Sequence, residues 1–294
     1  MQFDKSYFKL HFLVVLWGFT AILGLLIKLS YMEVVFYRTL FSFIALAAIL
    51  QFSKIGFAQQ PREIFKLMLT GVIIAIHWLL FFGAARYSNA SVSLIGLSTT
   101  TLWTSFLEPT VHKRKVSIIE ILFGLAVIAG LYIIYHDEFS YGLGLLMSLG
   151  SAFAAAIFTV LNFGYVRKHD AFTITFYEML GAWLATIPFL WLLKTPGSDL
   201  LQLPSWSDLG YLLILALVCT VYANSQAVKL LHKFTAFASN LVINMEPVYG
   251  ILLALLFFGK SERMNTSFYL GALSIIMAVF LYPVILKRFT KTTF

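Results

Sequence analysis

Long apolar stretches alternate with short polar ones along the whole chain. Ten of these stretches are long enough, or nearly so, to cross roughly 30 Å of hydrocarbon. They fall at about 8–27, 33–52, 64–86, 89–108, 117–135, 140–164, 171–193, 207–231, 236–258 and 267–287. Lipid forces a backbone to satisfy its own hydrogen bonds, so the pattern predicts helices. A barrel would need short strands of alternating polarity, which the pattern lacks. The connections are short. The longest are 53–63, with Pro61, and 194–206, with Pro196, Gly197 and Pro204. Neither has room for a soluble domain. The first stretch lacks a small-residue cleavage site and runs at once into further spans, so a retained helix is expected rather than a signal peptide. The predicted fold class is an all-α polytopic membrane protein with ten transmembrane helices.

Composition agrees. Of the 294 residues, 60% are hydrophobic and 12% are charged, and the mean hydropathy is +0.88. A typical soluble domain carries about 25% charged residues. At this length, surface-to-volume scaling leaves too large an exterior to hide so much apolar surface. A soluble globular enzyme is thereby excluded, and so is a disordered chain, which needs the opposite composition. The net charge of +8 could suggest nucleic acid in a soluble protein. Here the cations lie between apolar runs, where they set topology, and no nucleic-acid motif accompanies them. With a cytoplasmic N-terminus, the inner segments carry fifteen Lys and Arg. The outer segments carry five (Lys28, Arg86, Lys194, Lys260 and Arg263), and Arg38 falls inside the second helix. The asymmetry predicts both termini inside, in a plasma-type (bacterial inner) membrane. Cys219 is the single cysteine, so an internal disulfide is impossible and no thiol partner exists for a metal.

Comparing the chain with itself brings out a repeat. Phe36-Tyr37-Arg38-Thr39-Leu40 in the second span matches Phe176-Tyr177-Glu178-Met179-Leu180 in the seventh, at an offset of 140. Phe123-Gly124-Leu125-Ala126 in the fifth, which ends at Tyr135, matches Leu270-Gly271-Ala272-Leu273 in the tenth, which reaches Tyr282, at an offset of 147. Ser88-Asn89-Ala90-Ser91 opens the fourth span, and Thr235-Ala236-Phe237-Ala238-Ser239 opens the ninth. The shared order predicts two five-helix halves, 1–135 and 140–287. Five is odd, so the second half enters the membrane upside down. Such inverted repeats build many secondary transporters, with the solute site near the midplane between halves. A duplicated scaffold is the packing alternative.

Leu16-Trp17-Gly18, Tyr37-Arg38, Asn89-Ala90-Ser91, Met245-Glu246-Pro247-Val248, Phe258-Gly259, Gly124 and Gly271 carry a family resemblance. On these residues the chain resembles the drug/metabolite transporter superfamily, specifically ten-helix permeases with two EamA-type halves, over nearly its whole length. It departs from the family pattern in places. Gly-Glu-Arg often follows the fourth and ninth helices in the family. Here His112-Lys113-Arg114 and Gly259-Lys260-Ser261 stand there, with Glu262 displaced. Thr99, Thr100 and Thr101 occupy the middle of the fourth helix, where the family often has a proline. No role is therefore carried over to the loop carboxylates. The resemblance implies a cavity lined by helices 1–4 and 6–9, with helices 5 and 10 peripheral. It also implies secondary transport, with export of amino acids or related small metabolites more often than uptake.

Ionisable groups at the centre of a bilayer cost at least about 2.5–3.5 kcal/mol each, so they are functional candidates. Glu246 lies near the middle of the ninth span, roughly 15 Å deep at 1.5 Å per residue. Pro247 follows it, removes a backbone donor and predicts a helix break. A carboxylate beside loosened backbone suits a solute amine or a proton. His77 and Trp78 lie mid-way along the third span, where an imidazole can change charge and an indole face can stack on a cation or ring. Arg38 and Glu178 are repeat mates on opposite sides of the midplane, so a direct salt bridge is not expected. Each could serve a gate or one end of a zwitterion, and Arg38 could also snorkel to the interface. Trp17, Thr99, Thr100, Tyr222, Asn224, Asn240 and Asn244 complete the polar candidates, with interhelical packing as the alternative for each.

No Walker A sequence is present, so ATP does not drive this chain directly. No His-Glu-x-x-His motif or nucleophile set is present, and an enzyme is not expected. A channel, and a drug, sugar or other metabolite carrier working in the uptake direction, are the remaining alternatives to an alternating-access exporter. The expected partners are a small-molecule solute and the lipid bilayer, with no nucleic acid; no oligomeric state is read from the chain. No cofactor or metal is expected, and proton coupling is left open.

Overall fold

The computed structural model describes residues 5–57, 60–113, 115, 118–137, 141–192, 201–259 and 265–290. Arg114, Lys194, Pro196, Gly197, Lys260, Ser261, Glu262 and Arg263 lie outside the described residues. Over the described residues the chain is helical and contains no strand. The first half runs through α1 (Lys5–Leu26), α2 (Tyr31–Phe52), α3 (Pro61–Tyr87), α4 (Ala90–Leu97), α5 (Thr100–His112) and α6 (Ile118–Asp137). Next come α7 (Gly142–Tyr165), α8 (Ala171–Leu192) and α9 (Trp206–Leu213). A π-helical stretch (Ile214–Tyr222) then leads into α10 (Ala223–Leu230), followed by α11 (Ala236–Ile243), α12 (Glu246–Phe258) and α13 (Thr266–Thr290).

Among the described residues, seven helical segments are long and apolar enough to cross a membrane. They are α1, α2, α3, α7, α8, α9 through α10, and α11 with α12. The protein is therefore a multi-pass integral membrane protein. The other predicted spans coincide with α4 plus α5, α6 and α13.

Local chemistry sets the helix ends. Ser30 and Glu33 form a capping box at the start of α2, satisfying two orphan donors at once. Asn89 caps α4 through Val92 N at 2.9 Å, and Thr235 caps α11 through Ala238 N at 3.1 Å. Arg86, near the end of α3, donates to the carbonyls of Gly24, Ile27 and Leu29. It thus covers the acceptors that the last turn of α1 leaves open.

These contacts also sort the connections by end. At one end, Glu33 accepts from Gln202 N at 2.6 Å and Asp208 accepts from Lys28 N at 3.0 Å. At the other, Lys233 donates to Ser6 at 2.7 Å and Thr173 donates to the Gly56 carbonyl at 2.7 Å.

Two of the predicted spans are broken. The fourth splits at Ser98–Thr99 into α4 and α5, and the ninth splits at Asn244–Met245 into α11 and α12. The breaks are related by the repeat offset, 244 − 98 = 146. At the first break no proline is needed. The hydroxyls of Ser98, Thr99 and Thr100 donate to the carbonyls of Ile95, Gly96 and Leu97 at 2.6, 2.9 and 2.7 Å. Hydroxyls compete in this way for helix carbonyls. At the second break Pro247 sits in the first turn of α12, where its missing N–H costs nothing. The broken segments lie antiparallel, α4 against α12 and α5 against α11. Asn240 donates to Thr104 at 2.8 Å and Asn244 to Thr101, pinning the pair together.

Backbones meet where glycines allow it. A Cβ at Gly71 would collide with the Glu178 carbonyl, and one at Gly181 with the Met68 carbonyl, so α3 and α8 touch main chain to main chain. Small residues serve this purpose in membranes, where lipid removes the hydrophobic drive to associate. At the periphery α13 packs against α6, and α6 in turn against α5.

Gly71→Ala is expected to cost about 1–3 kcal/mol through overpacking, whereas Gly210→Ala, with nothing within 4 Å of the new methyl, is expected to be neutral. Thermal unfolding of the two purified variants checks this.

Candidate solute cavity

A cavity of about 90 Å³ lies inside the bundle. One water needs on the order of 10–15 Å³ of this measure, so the space holds several waters or a small solute. Its walls come from α1, α2, α3, the α4–α5 and α11–α12 breaks, α7, the π-helical stretch and α10. Among the described residues neither α6 nor α13 contributes to it. No α8 residue lines it either, although the family resemblance implied that the seventh helix would.

Arg38 is the most constrained wall residue. It is 2% exposed, eight residues into α2. Its guanidinium carbon lies 3.9 Å from the centre of the Trp78 ring, a cation–π contact. Its Nε–H donates to the Thr220 hydroxyl at 2.8 Å. Thr220 accepts while its own proton goes to the Leu215 carbonyl, 2.9 Å away. That five-residue reach belongs to the π-helical stretch. The same stretch offers the Ala216 carbonyl to Ser42 at 3.2 Å and the Cys219 carbonyl to Trp17 Nε1 at 3.0 Å. A π-helix leaves carbonyls off register, and such stretches often mark functional sites. The terminal nitrogens of Arg38 make no hydrogen bond among the described residues and are left for the contents of the cavity.

Glu246 lies across the cavity. The break makes it the first residue of α12, next to that helix's open N–H groups, where negative charge is favoured. It is 5% exposed and has no hydrogen-bond partner among the described residues. Its charge interacts with that of Arg38 without forming an ion pair within 4 Å.

His77 forms the aromatic wall with its neighbours. Its Nδ1 lies 3.0 Å from the Ser151 carbonyl and 2.8 Å from the Ser151 hydroxyl. The Ser151 hydroxyl in turn donates to the His77 carbonyl at 3.0 Å. This leaves Nε2 without a partner among the described residues. Phe81 stacks on the imidazole at 6.2 Å and Phe158 meets it edge-on at 5.5 Å.

The structure therefore brings Trp17, Arg38, His77, Trp78, Thr100, Asn224, Asn240 and Glu246 to one cavity. Other sequence candidates stand elsewhere. Thr99 is buried with its hydroxyl on Gly96, and Asn244 is turned to Thr101. Tyr222 is 40% exposed on the outer surface. Glu178 is 0% exposed, on α8, outside the cavity wall. Pro247 follows the helix break and is not itself a wall residue. Among the described residues Arg38 and Glu178 form no salt bridge.

Sequence reasoning missed Thr159 and Asn162 of α7 and Ser239 of α11, all of which line the cavity. The spacing of three from Thr159 to Asn162 puts both on one helix face and was a readable signal. It also missed Glu108, which is 3% exposed and accepts from Phe237 N at 2.7 Å, holding the start of α11. The Glu-Pro pair at Glu108-Pro109, echoed at Glu246-Pro247, was its signal. Leu231, Ser239 and Asn162 carry the cavity from Arg38 toward the end of the bundle that holds the α10–α11 turn.

A family model for EamA-like transporters matches this chain twice, over residues 5–136 and 142–282. The chain belongs to the EamA-like transporter family, a class of membrane transporters within the drug/metabolite transporter superfamily. It is 26% identical, over 90% of its length and 88% of the other, to an uncharacterized transporter of Vibrio cholerae serotype O1 (strain ATCC 39315 / El Tor Inaba N16961). A solved crystal structure shares its fold with a TM-score of 0.68, at 14% identity, covering 96% of this chain and 98% of that one.

Asn240→Ala removes a buried interhelical hydrogen bond and is expected to cost about 1 kcal/mol, whereas Tyr222→Phe, at an exposed hydroxyl, is expected to change nothing. Melting temperatures of the two variants in detergent check this.

Proposed function

We propose that the protein is a secondary transporter of small zwitterionic metabolites, with amino acids as the first candidates, working as an exporter by alternating access. The observation that carries this reading is the pair Arg38 and Glu246, opposite charges facing one cavity with no protein counter-ion in contact with either. Both charges are expensive at this depth, and a zwitterion neutralises both at once. The solute carboxylate takes the free Nη donors of Arg38, a fork suited to bidentate pairing. The solute ammonium takes Glu246. Its side chain lies against His77, Phe81 and Phe158.

The two halves, 1–135 and 140–287, supply the alternation in this reading, as an inverted repeat of ten spans. Helix pairings that recur when the halves are exchanged support it. α1 on α11–α12 has its counterpart in α7 on α4–α5, and α3 on α8 has its counterpart in α9–α10 on α2. The paired breaks 146 residues apart support it too. The excess of Lys and Arg supports a cytoplasmic side for both termini and, with them, for the α10–α11 turn. The cavity then extends toward the cytoplasm, where an exporter loads.

Counterflow of radiolabelled amino acids, pooled and then single, into preloaded proteoliposomes tests the proposal. Wild type is expected to accumulate label. Glu246→Gln is expected to abolish counterflow while inserting normally. Arg38→Lys keeps the charge but loses the planar stack on Trp78, and is expected to weaken solute affinity by about tenfold or more, about 1.4 kcal/mol. Wild-type counterflow in both variants would sink the assignment of the two ends, and no accumulation of any amino acid by folded wild type would move the solute to another class.

A further inference from the structure

Glu178 takes no part in the solute site, yet it is the strangest group in the molecule. It sits eight residues into α8 with 0% exposure, and both carboxylate oxygens are buried without a hydrogen-bond partner among the described residues. No charged side chain interacts with it electrostatically. The elements packed on α8 are α2, α3 and α10. Arg38 and His77 are the ionisable groups away from the ends of α2 and α3 that face the interior, and both are committed to the cavity. Glu33, Arg62, Glu63, Lys66, Arg86 and Lys229 lie near helix ends. A bare carboxylate in that setting costs several kcal/mol even after relaxation, so the position calls for a positive charge from outside the protein.

One side chain connects Glu178 to water. Asn162 of α7 lines the cavity, and its amide is the polar neighbour of the Glu178 carboxylate. Its own Oδ1 is buried and unpartnered as well. Two faces of one residue thus join the solute cavity to a carboxylate with nothing to neutralise it. A metal cation would need a fuller shell of ligands, and no group of three His, Cys, Asp or Glu side chains exists among the described residues. A proton needs only one oxygen.

We propose that Glu178 is a proton site separate from the solute site, loaded from the cavity by way of Asn162, and that loading it is coupled to solute movement. The proposal rests on the transport reading above and adds the coupling group to it. In loading, one proton leaves cavity water and forms an O–H bond to a carboxylate oxygen. In release, that bond breaks and the proton returns to water on the opposite side. The main-chain contact between α3 and α8 lies at this residue, since Gly71 abuts the Glu178 carbonyl. α3, which lines the cavity through His77 and Trp78, thus touches the backbone of the residue that bears the carboxyl group.

Glu178→Gln keeps the shape and supplies the neutral state permanently. Two measurements test the site. Infrared spectroscopy of the protein in lipid is expected to show a protonated-carboxyl C=O band in wild type that is lost in Glu178→Gln and kept in Glu246→Gln. This reading needs no solute, so it stands apart from the success or failure of the counterflow screen. In proteoliposomes, with the amino acid that wild type exchanges, Glu178→Gln is expected to retain counterflow and to lose accumulation driven by an imposed pH gradient. An identical carboxyl band in wild type and Glu178→Gln would overturn the proposal. So would wild-type gradient-driven accumulation in Glu178→Gln, or a wild-type band that added sodium abolishes at constant pH.

Discussion

A guanidinium 2% exposed and eight residues into a membrane helix has to be held by something, and the interior of this protein is arranged around holding Arg38. α3 supplies the face of Trp78 and the π-helical stretch supplies Thr220. Thr220 accepts from Arg38 while its own proton goes to the Leu215 carbonyl. α1 is drawn to the same stretch by Trp17 on the Cys219 carbonyl. Four elements are thus fixed around one charge. The donors they leave unused define what the cavity can bind. Replacing that charge by an apolar group would let the helices pack more simply; under the proposed function its presence is a cost borne for ligand chemistry.

The helix breaks follow from the same constraint. Irregular backbone at membrane depth survives only where protein or a wet cavity covers it. α4–α5 and α11–α12 break at the same point of their respective halves and lie against one another, so each break is covered by the other. Asn240 and Asn244 cross to Thr104 and Thr101, and the hydroxyls at Ser98, Thr99 and Thr100 answer the carbonyls opened in α4. The second break also delivers Glu246 to a helix start beside the cavity. Without it the carboxylate would be one more side chain on a continuous helix.

Gly71 and Gly181 bring α3 and α8 into main-chain contact. The cavity opens a short way from this contact, between α3, α7 and α10. Glu178 lies where this contact and the cavity wall come close: its main-chain carbonyl meets Gly71, and Asn162 of the wall is its polar neighbour. The peripheral pair α6 and α13 lies clear of both.

Much of this was legible in the chain before any coordinates. Hydrophobic runs fixed the places of the membrane helices, because lipid leaves a spanning backbone few alternatives. The cost of charge in hydrocarbon singled out Arg38, His77 and Glu246, and all three line the cavity. Pro247 pointed to the second break, whereas the first, at Ser98–Thr99, was not read from the chain. Three things depended on tertiary structure. Ser98–Thr100 reads as a plain polar run until hydroxyls are seen to answer specific carbonyls. Thr99, Asn244 and Tyr222 have the same residue types as the wall residues, and only the rotation of each helix about its axis turns them toward a neighbour, a partner threonine or the outer surface. Glu178 was marked out by its charge, but its isolation is a fact about side chains from other helices. Polarity and depth are properties of a residue in its own segment, so the sequence determined them by itself. Which groups face each other across a cavity depends on helix rotation and crossing, and those are set by packing among segments distant in the chain.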